Sequence, residues 1–409
     1  MKYLVKVLLL QAIFFGSAHL LSAKEFTDYP GPSQLEYNAP GKLHIDKMWG
    51  DQLMAYALKE FPADLFFWDW PQATLLRSIS GRWENGINKE AMFTYIRKAM
   101  DVNMDKASGI HPNVVASGLG MAFLAGVTGE KKYQEKAFEL YRQYLQIPRS
   151  SNGGVSHRDH VVELWDDTVY MISLFLTEMY HLTGDEQFLK ELAVQLMAHA
   201  EKLEDSSTGL WYHGWDNDAT AFDDKCCLLG WADNPNRRNN EFWGRGNGWV
   251  AMTFANTLRV MPDDMEEKAI LRQKFIRMME TLCNLQDEKT GHWYQLPAYP
   301  GEGGNFIESS GTVMFAYAMS VGVAEKILER RKYMPIINHA FRGIEKNSLK
   351  PVDGLLIVTN VCYGTCIGDK AYYYDRKVVE GTAFTLGAAI MFYDQYKILT
   401  NKKRSSKDE

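Results

Sequence analysis

The chain has 409 residues, 46% of them hydrophobic and 23% charged, the make-up of an ordinary folded protein and not of a disordered or fibrous one. Its 45 basic and 51 acidic residues leave a net charge of −6. That argues against a nucleic-acid partner, because a polyanion calls for clustered Lys and Arg. Aromatic residues are plentiful, with 11 Trp and 21 Tyr, and their flat apolar faces with a polar edge suit sugar rings.

The N-terminus reads as a secretory signal over residues 1–23. Lys2 and Lys6 supply the positive start, an apolar run over 7–15 is broken only by Gln11, and small residues follow, with cleavage expected after Ala23 or, less well, after Ala18. The run is too short for a bilayer span, and no Cys lies near the cleavage site to carry a lipid. The mature chain, 24–409, is therefore expected to be a single exported domain, periplasmic or secreted, with no membrane attachment. The five cysteines are Cys226, Cys227, Cys283, Cys362 and Cys366. An odd number is a poor disulfide framework, and small buried residues are the plainer reading.

Helical stretches of two kinds follow. Near-continuous apolar runs start near Trp70, Asn113, Asp167, Gly248, Gly311 and Gly381; the one over 164–182 is apolar nearly all round, the mark of a buried helix. Between them lie amphipathic stretches. After Gly184, the residues Phe188, Leu189, Leu192, Ala193, Leu196, Met197 and Ala200 share one face, opposite Glu186, Lys190, Glu191 and Gln195. Six buried and six outer helices predict an all-α (α/α)6 barrel, with an open helical solenoid as the competing arrangement. Short echoes support a repeated αα-hairpin. Thr128-Gly129-Glu130 matches Thr183-Gly184-Asp185, and residues 203–212 match 285–294 in Leu, Thr-Gly and Trp-Tyr at equal spacing. In a barrel the buried helices' N-termini gather at one end, whose positive dipoles favour an anion.

Five stretches at that end carry candidate chemistry. The loop 153–160 contains His157, Arg158 and His160, but no tight zinc pattern accompanies them, so no metal is expected. In Trp165-Asp166-Asp167, one Asp is expected to cap the helix and the other to face a pocket. His213 sits among Trp211, Tyr212 and Trp215, where it is either a substrate contact or a satisfied core residue. Trp243-Gly244-Arg245-Gly246-Asn247-Gly248-Trp249 reads as a tight loop and not a helix, because of its three glycines. It holds an Arg beside aromatic faces, as a carboxylate clamp or a stacked structural residue. Its glycines do not spell a dinucleotide fingerprint, and no cofactor is expected. Finally, Glu308-Ser309-Ser310-Gly311 lacks the nucleophile-elbow pattern, so its serines are read as helix caps, with Glu308 near the cavity.

Taken together, Trp165-x-Asp167-x-x-x-Met171, Tyr212-His213-x-Trp215-Asp216, Trp243-x-Arg245-Gly246-Asn247-Gly248-Trp249 and Glu308-Ser309-Ser310-Gly311 resemble glycoside hydrolase family 105, the unsaturated rhamnogalacturonyl hydrolases, over about residues 68–393. The resemblance implies an (α/α)6 barrel that acts on lyase-generated oligosaccharides ending in a 4,5-unsaturated uronic acid. The reaction is hydration of the double bond, with unsaturated galacturonyl-rhamnose as the family substrate. It implies Asp167 as the catalytic acid, with a pKa raised by burial or a neighbouring carboxylate. It also implies substrate contacts from Asn113, Arg158, Trp165, Met171, His213, Trp215, Trp243, Arg245 and Trp249. His157-Arg158 stands where the family carries a His plus a basic residue. Two features depart from the family. Asn113 replaces an Asp that often opens the second buried helix, so it can hydrogen-bond a sugar but cannot share a proton with Asp167. Residues 217–241 read as an insertion at the pocket rim. A sugar epimerase, an ordinary glycosidase and a non-catalytic glycan-binding barrel are the competing readings; the oligomeric state stays open.

Overall fold

The structure is a computed structural model and describes residues 48–217 and 235–405, with side chains to 401. The expected signal, Cys226 and Cys227, and most of the expected insertion lie outside the described residues. Among those described, twelve helices have ten residues or more: α1 (Trp49–Glu60), α2 (Trp70–Glu84), α3 (Lys89–Asp101), α4 (Leu119–Thr128), α5 (Lys131–Tyr144), α6 (Thr168–Thr183), α7 (Gln187–Leu203), α8 (Gly244–Val260), α9 (Glu266–Asn284), α10 (Ser309–Ala324), α11 (Arg330–Asn347) and α12 (Ala383–Ser405).

The helices α2, α4, α6, α8, α10 and α12 pack each on the next, and α12 returns to α2, so the inner ring is closed. Each inner helix also packs against one outer helix: α3, α5, α7, α9 and α11 for the first five, and α1 for α12. This is the (α/α)6 barrel, and its closure excludes the open solenoid. The sequence dictates the layers. Residues 309–323 of α10 are all buried, so that helix has no face for water. Outer helix α5 buries only the stripe Tyr133, Ala137, Phe138, Leu140 and Tyr144. Among the described residues no helix is long and apolar enough to cross a membrane.

The connections from inner to outer helix are tight. Gly129 and Gly184 end α4 and α6 with φ of 70° and 71°, a left-handed conformation that glycine adopts without strain. Thr128 and Thr183 then accept hydrogen bonds from Glu130 and Asp185 N–H, each at 3.1 Å. The other echo is equally literal. In both copies a Gly N–H donates to an Asp carbonyl, Gly209 to Asp205 and Gly291 to Asp287. The chain then turns into an extended piece.

The connections from outer to inner helix are long and gather at the end where the inner helices begin. Among the described residues they hold four antiparallel two-stranded ladders: β1 (Glu163–Trp165) with β2 (Gly214–Asp216), β3 (Trp293–Tyr294) with β4 (Ile307–Glu308), β5 (Leu349–Val352) with β6 (Leu355–Val358), and β7 (Val361–Cys362) with β8 (Val378–Val379). Three expectations are corrected here. The buried helix over 164–182 begins at Thr168, because Glu163–Trp165 pairs with Gly214–Asp216. The glycine-rich 244–248 is the first turn of α8, not a loop. Gln195 lies inside, its Oε1 accepting from Val155 N–H at 2.7 Å and its amide donating to Gly153 O at 3.0 Å, so it holds the 153–155 loop and does not face water.

Candidate active site

The β1–β2 ladder places Trp165 opposite Gly214, and Asp166 N–H donates to His213 O at 2.9 Å. Two segments far apart in the chain thus become one floor. Asp166 and Asp167 leave β1 and enter α6. Asp167 holds the N-cap position, but its side chain makes no capping bond, and its carbonyl accepts from Tyr170 and Met171 N–H. Neither aspartate caps by its carboxylate, against expectation. Asp167 keeps 15% of its side chain exposed, whereas Asp166 is fully enclosed.

Both Asp166 oxygens and Asp167 Oδ1 lack a hydrogen-bond partner among the described residues. A carboxylate so placed is poorly solvated, and its neutral form gains. Burial pushes Asp167 up to about 7 against the opposing charge of Arg245. Asp166 is raised well above the usual range by burial, and next by the charge of Asp167. Of the two, Asp167 can therefore give and take a proton near neutral pH, while Asp166 holds its own longer. The first turn of α8 lies on this pair. A Cβ at Gly246 would come 2.1 Å from Asp166 Oδ2, which explains a glycine inside a helix.

Histidines flank the carboxyls. His157 is buried, with Nδ1 2.9 Å from Thr168 Oγ1 and 3.7 Å from Asp167 Oδ1. Its ring stacks on Trp165 at 4.4 Å, whose Nε1–H donates to Glu163 Oε2 at 2.8 Å. His111 packs edge-on against His157 at 5.4 Å. His213 lies 4.4 Å from the Trp243 ring, with Nε2 4.0 Å from Asp166 Oδ1. Burial lowers both His157 and His213 well below the ordinary histidine value, so both are neutral.

The structure thus brings together Asp167, Trp165, His213, Trp243 and Arg245, with Arg158 over the Trp165 ring at 5.8 Å. Arg245 is corrected as a two-pronged clamp. Its terminal nitrogens donate to the carbonyls of Cys362 and Tyr363, and its guanidinium lies between Trp243 and Phe384 at 4.3 and 4.8 Å. It supplies positive charge to the carboxyl pair from a fixed, stacked position. Three other residues expected at the substrate belong to the core. Met171 is buried in α6, Trp249 stacks on Tyr170 at 4.4 Å, and Trp215 is buried beneath Lys202 of outer helix α7. Asn113 lies in a single-turn helix, Pro112–Val115, where its N–H donates to His111 Nδ1 at 3.1 Å. His111 is the member of that turn that reaches His157.

Glu308 caps α10. It accepts from Ser310 N–H and O–H, Gly311 N–H and Cys362 N–H, so the cap is Glu308 and not a serine. Cys283 and Cys362 are free thiols, and Cys362 is fully buried. Among the described residues no group of three or more His, Cys, Asp or Glu is arranged to hold a metal ion. The sequence reading missed His111 and Tyr373, the latter 2.7 Å from His213 Nδ1. His111 had a signal in the His-Pro-Asn run, whereas Tyr373 had none.

The sequence model of the family described as Glycosyl Hydrolase Family 88 matches residues 44–399. The chain is 26% identical over 353 residues to the unsaturated rhamnogalacturonyl hydrolase YesR of Bacillus subtilis, covering 83% of this chain and 92% of that one. Over a shorter stretch of 103 residues, 25% of this chain and 27% of the other, it is 33% identical to an unsaturated 3S-rhamnoglycuronyl hydrolase of Formosa agariphila. A family 105 glycoside hydrolase structure from C. acetobutylicum matches it with a TM-score of 0.74 at 24% identity, over 85% of this chain and 99% of that one. The family match spans the whole barrel together with its carboxyl pair, and the chain belongs to the family 88/105 glycoside hydrolases.

Proposed function

We propose that the protein is an exported hydrolase that removes the terminal 4,5-unsaturated uronic acid from lyase-generated oligosaccharides, with unsaturated galacturonyl-rhamnose from rhamnogalacturonan as its substrate. The observation that carries this reading is the Asp167 carboxyl, unpaired at Oδ1, raised to about 7 and open at one edge. An ordinary glycosidase sets two carboxyl groups on opposite sides of the scissile bond. Here the two carboxyls are neighbours in the chain, and only Asp167 reaches the surface of the site. One carboxyl suffices for hydration. Protonated Asp167 gives its proton to C4 as the C4=C5 π bond is consumed, and the carboxylate it becomes takes back a proton from the water whose oxygen bonds to C5. The hemiketal opens by breaking the C5–ring oxygen bond, and the hemiacetal left at C1 releases the next sugar.

Arg158, half-buried against Trp165, supplies the charge for the uronate carboxylate, with Arg245 behind the pair. Trp165 and Trp243 back the site, Trp165 holding His157 and Trp243 packed between His213 and Arg245. The rhamnogalacturonyl specificity is supported by the name of the Bacillus relative, and export by the Lys2, Lys6 and 7–15 pattern.

The test is a screen of lyase digests of pectin, ulvan and glycosaminoglycans, followed by loss of the ultraviolet absorbance of the conjugated double bond. Digests of rhamnogalacturonan are expected to be consumed fastest. Asp167→Asn is expected to fold and bind normally while losing about 10²–10⁴-fold in kcat. Near-normal turnover by Asp167→Asn, or activity confined to saturated oligosaccharides, would remove the hydration reading.

A further inference from the structure

Tyr373 lies in the single-turn helix Lys370–Tyr374 and is fully buried. Its hydroxyl stands 2.7 Å from His213 Nδ1. Turning the imidazole over would put a ring carbon at that distance from oxygen, inside van der Waals contact, so the ring orientation is fixed. The direction of this hydrogen bond follows from the other contacts of the phenol oxygen. Asn239 Nδ2 and Gly368 N–H both donate to it, each at 3.4 Å. The Asn239 amide is itself oriented, because its Oδ1 accepts from Gly214 N–H at 3.0 Å and its Nδ2 donates to Glu241 O at 3.2 Å. A hydroxyl oxygen that accepts twice has its own proton to give, and that proton goes to Nδ1. Burial keeps the phenol protonated. Burial and then the charge of Arg245 hold the imidazole neutral. With Nδ1 accepting, the ring proton sits on Nε2. That N–H has no hydrogen-bond partner among the described residues, and neither has the Asp166 Oδ1 that faces it at 4.0 Å.

We propose that Tyr373 is a positioning residue for the reaction: its hydroxyl locks His213 as the Nε2–H tautomer, so that a neutral N–H donor and not an imidazolium faces the Asp166–Asp167 pair. The donor is held in place before the reaction. It stabilises the negative charge that the pair carries once Asp167 has given its proton to carbon, without offering a competing acid. An imidazolium there would hold Asp167 ionised and so disarm it. This role rests on Asp167 as the proton donor; the tautomer does not.

The test reads the tautomer directly. Two-bond proton–nitrogen correlation spectra of labelled protein are recorded between pH 5.5 and 8.5, with the His213 signals assigned by their loss in His213→Gln. The expected spectrum shows a protonated Nε2 and an unprotonated Nδ1 that do not titrate. In Tyr373→Phe a second tautomer or a titrating ring is expected, with kcat about 3- to 10-fold lower and KM nearly unchanged. Because Tyr373 is buried, a second pair of variants carries the test if that one fails to fold. His213→Gln keeps an N–H donor near the Nε2 position, and is expected to retain about 10-fold more kcat than His213→Leu. A wild-type His213 protonated on Nδ1, a folded Tyr373→Phe with unchanged kcat, or equal losses for the Gln and Leu variants would overturn the proposal. These outcomes are separable from failure of the functional reading, which shows as an active Asp167→Asn whatever the state of His213.

Discussion

At the scale of single residues, the carboxyl pair sets the chemistry and a stability penalty together. A group whose folded pKa is raised stabilises the fold fully below its unfolded pKa, and that stabilisation is lost as pH climbs through the folded value. For Asp167 the window runs from 3.8 to about 7, because over that range the folded chain holds a proton that the unfolded chain has released. The same proton is the one delivered to C4, so kcat/KM is expected to fall as pH rises above about 7. Asp167→Asn cannot ionise. It is expected to be more stable than the wild type at pH 8, on the order of 2–4 kcal/mol, and little different at pH 4. Thermal melts at the two pH values check this; a gain of equal size at both, or a loss at pH 8, would show that desolvation of the carboxylate is not the cause. A site that becomes more stable on losing its catalyst is what strain stored for function predicts.

At the scale of elements, the glycines of α8 show what local sequence reading leaves out. By backbone propensity, three glycines in five residues argue against a helix. Their cause is external. A Cβ at Gly244 would meet Gln295 O at 2.9 Å, one at Gly246 the Asp166 carboxylate at 2.1 Å, and one at Gly248 Met314 Sδ at 2.8 Å. The neighbours that require these glycines come from other parts of the chain, so no window around 244–248 contains them. The β1–β2 ladder and the carbonyl partners of Arg245 were hidden for the same reason. What was legible was periodic or repeated: the nearly all-apolar α6 and the run from Gly311 that becomes α10 against the one-sided α7, the Thr-Gly turns at 129 and 184, and the paired 203–212 and 285–294 segments. Asp167 and His213 were legible as members of short motifs, whereas Trp215 and Trp249 shared those motifs for packing reasons. The glycine argument gives a paired prediction. Gly246→Ala is expected to displace Asp166, lowering stability by about 1–3 kcal/mol and kcat by about 10-fold or more. Gly81→Ala in α2 meets nothing within 4 Å and is expected to stabilise by about 0.5–1 kcal/mol. Melting temperatures and turnover of the two variants decide it, and similar behaviour of both would remove the close-approach explanation.

At the scale of the whole molecule, the barrel is a ring, and a ring must be joined where its first and last inner helices meet. The joint is α2 against α12, with α1 behind, and one charged side chain ties all three. Arg82 of α2 is wholly buried. Its Nε and Nη2 grip both oxygens of Asp394 in α12 at 2.9 and 3.0 Å, and its Nη1 reaches Asp51 in α1 at 2.7 Å. These bonds span up to 312 residues of sequence, so they form only when the ring closes. They lie toward the C-terminal half of α2, away from the end that carries Asp167. Removing the guanidinium leaves two carboxylates facing each other in a space of low polarity, a change that typically costs about 3–5 kcal/mol. Arg82→Met is therefore expected to lower the melting temperature by several degrees, while kcat at low temperature stays within about twofold. The desolvation penalty belongs to the orphaned charges and not to the missing bond. The double variant Arg82→Met with Asp394→Leu, which fills the site with apolar volume, is accordingly expected to recover more than half of the loss. If the single variant melts with the wild type, or the double variant melts below the single one, ring closure rests on the apolar packing of α12 against α2 and not on this buried ion cluster.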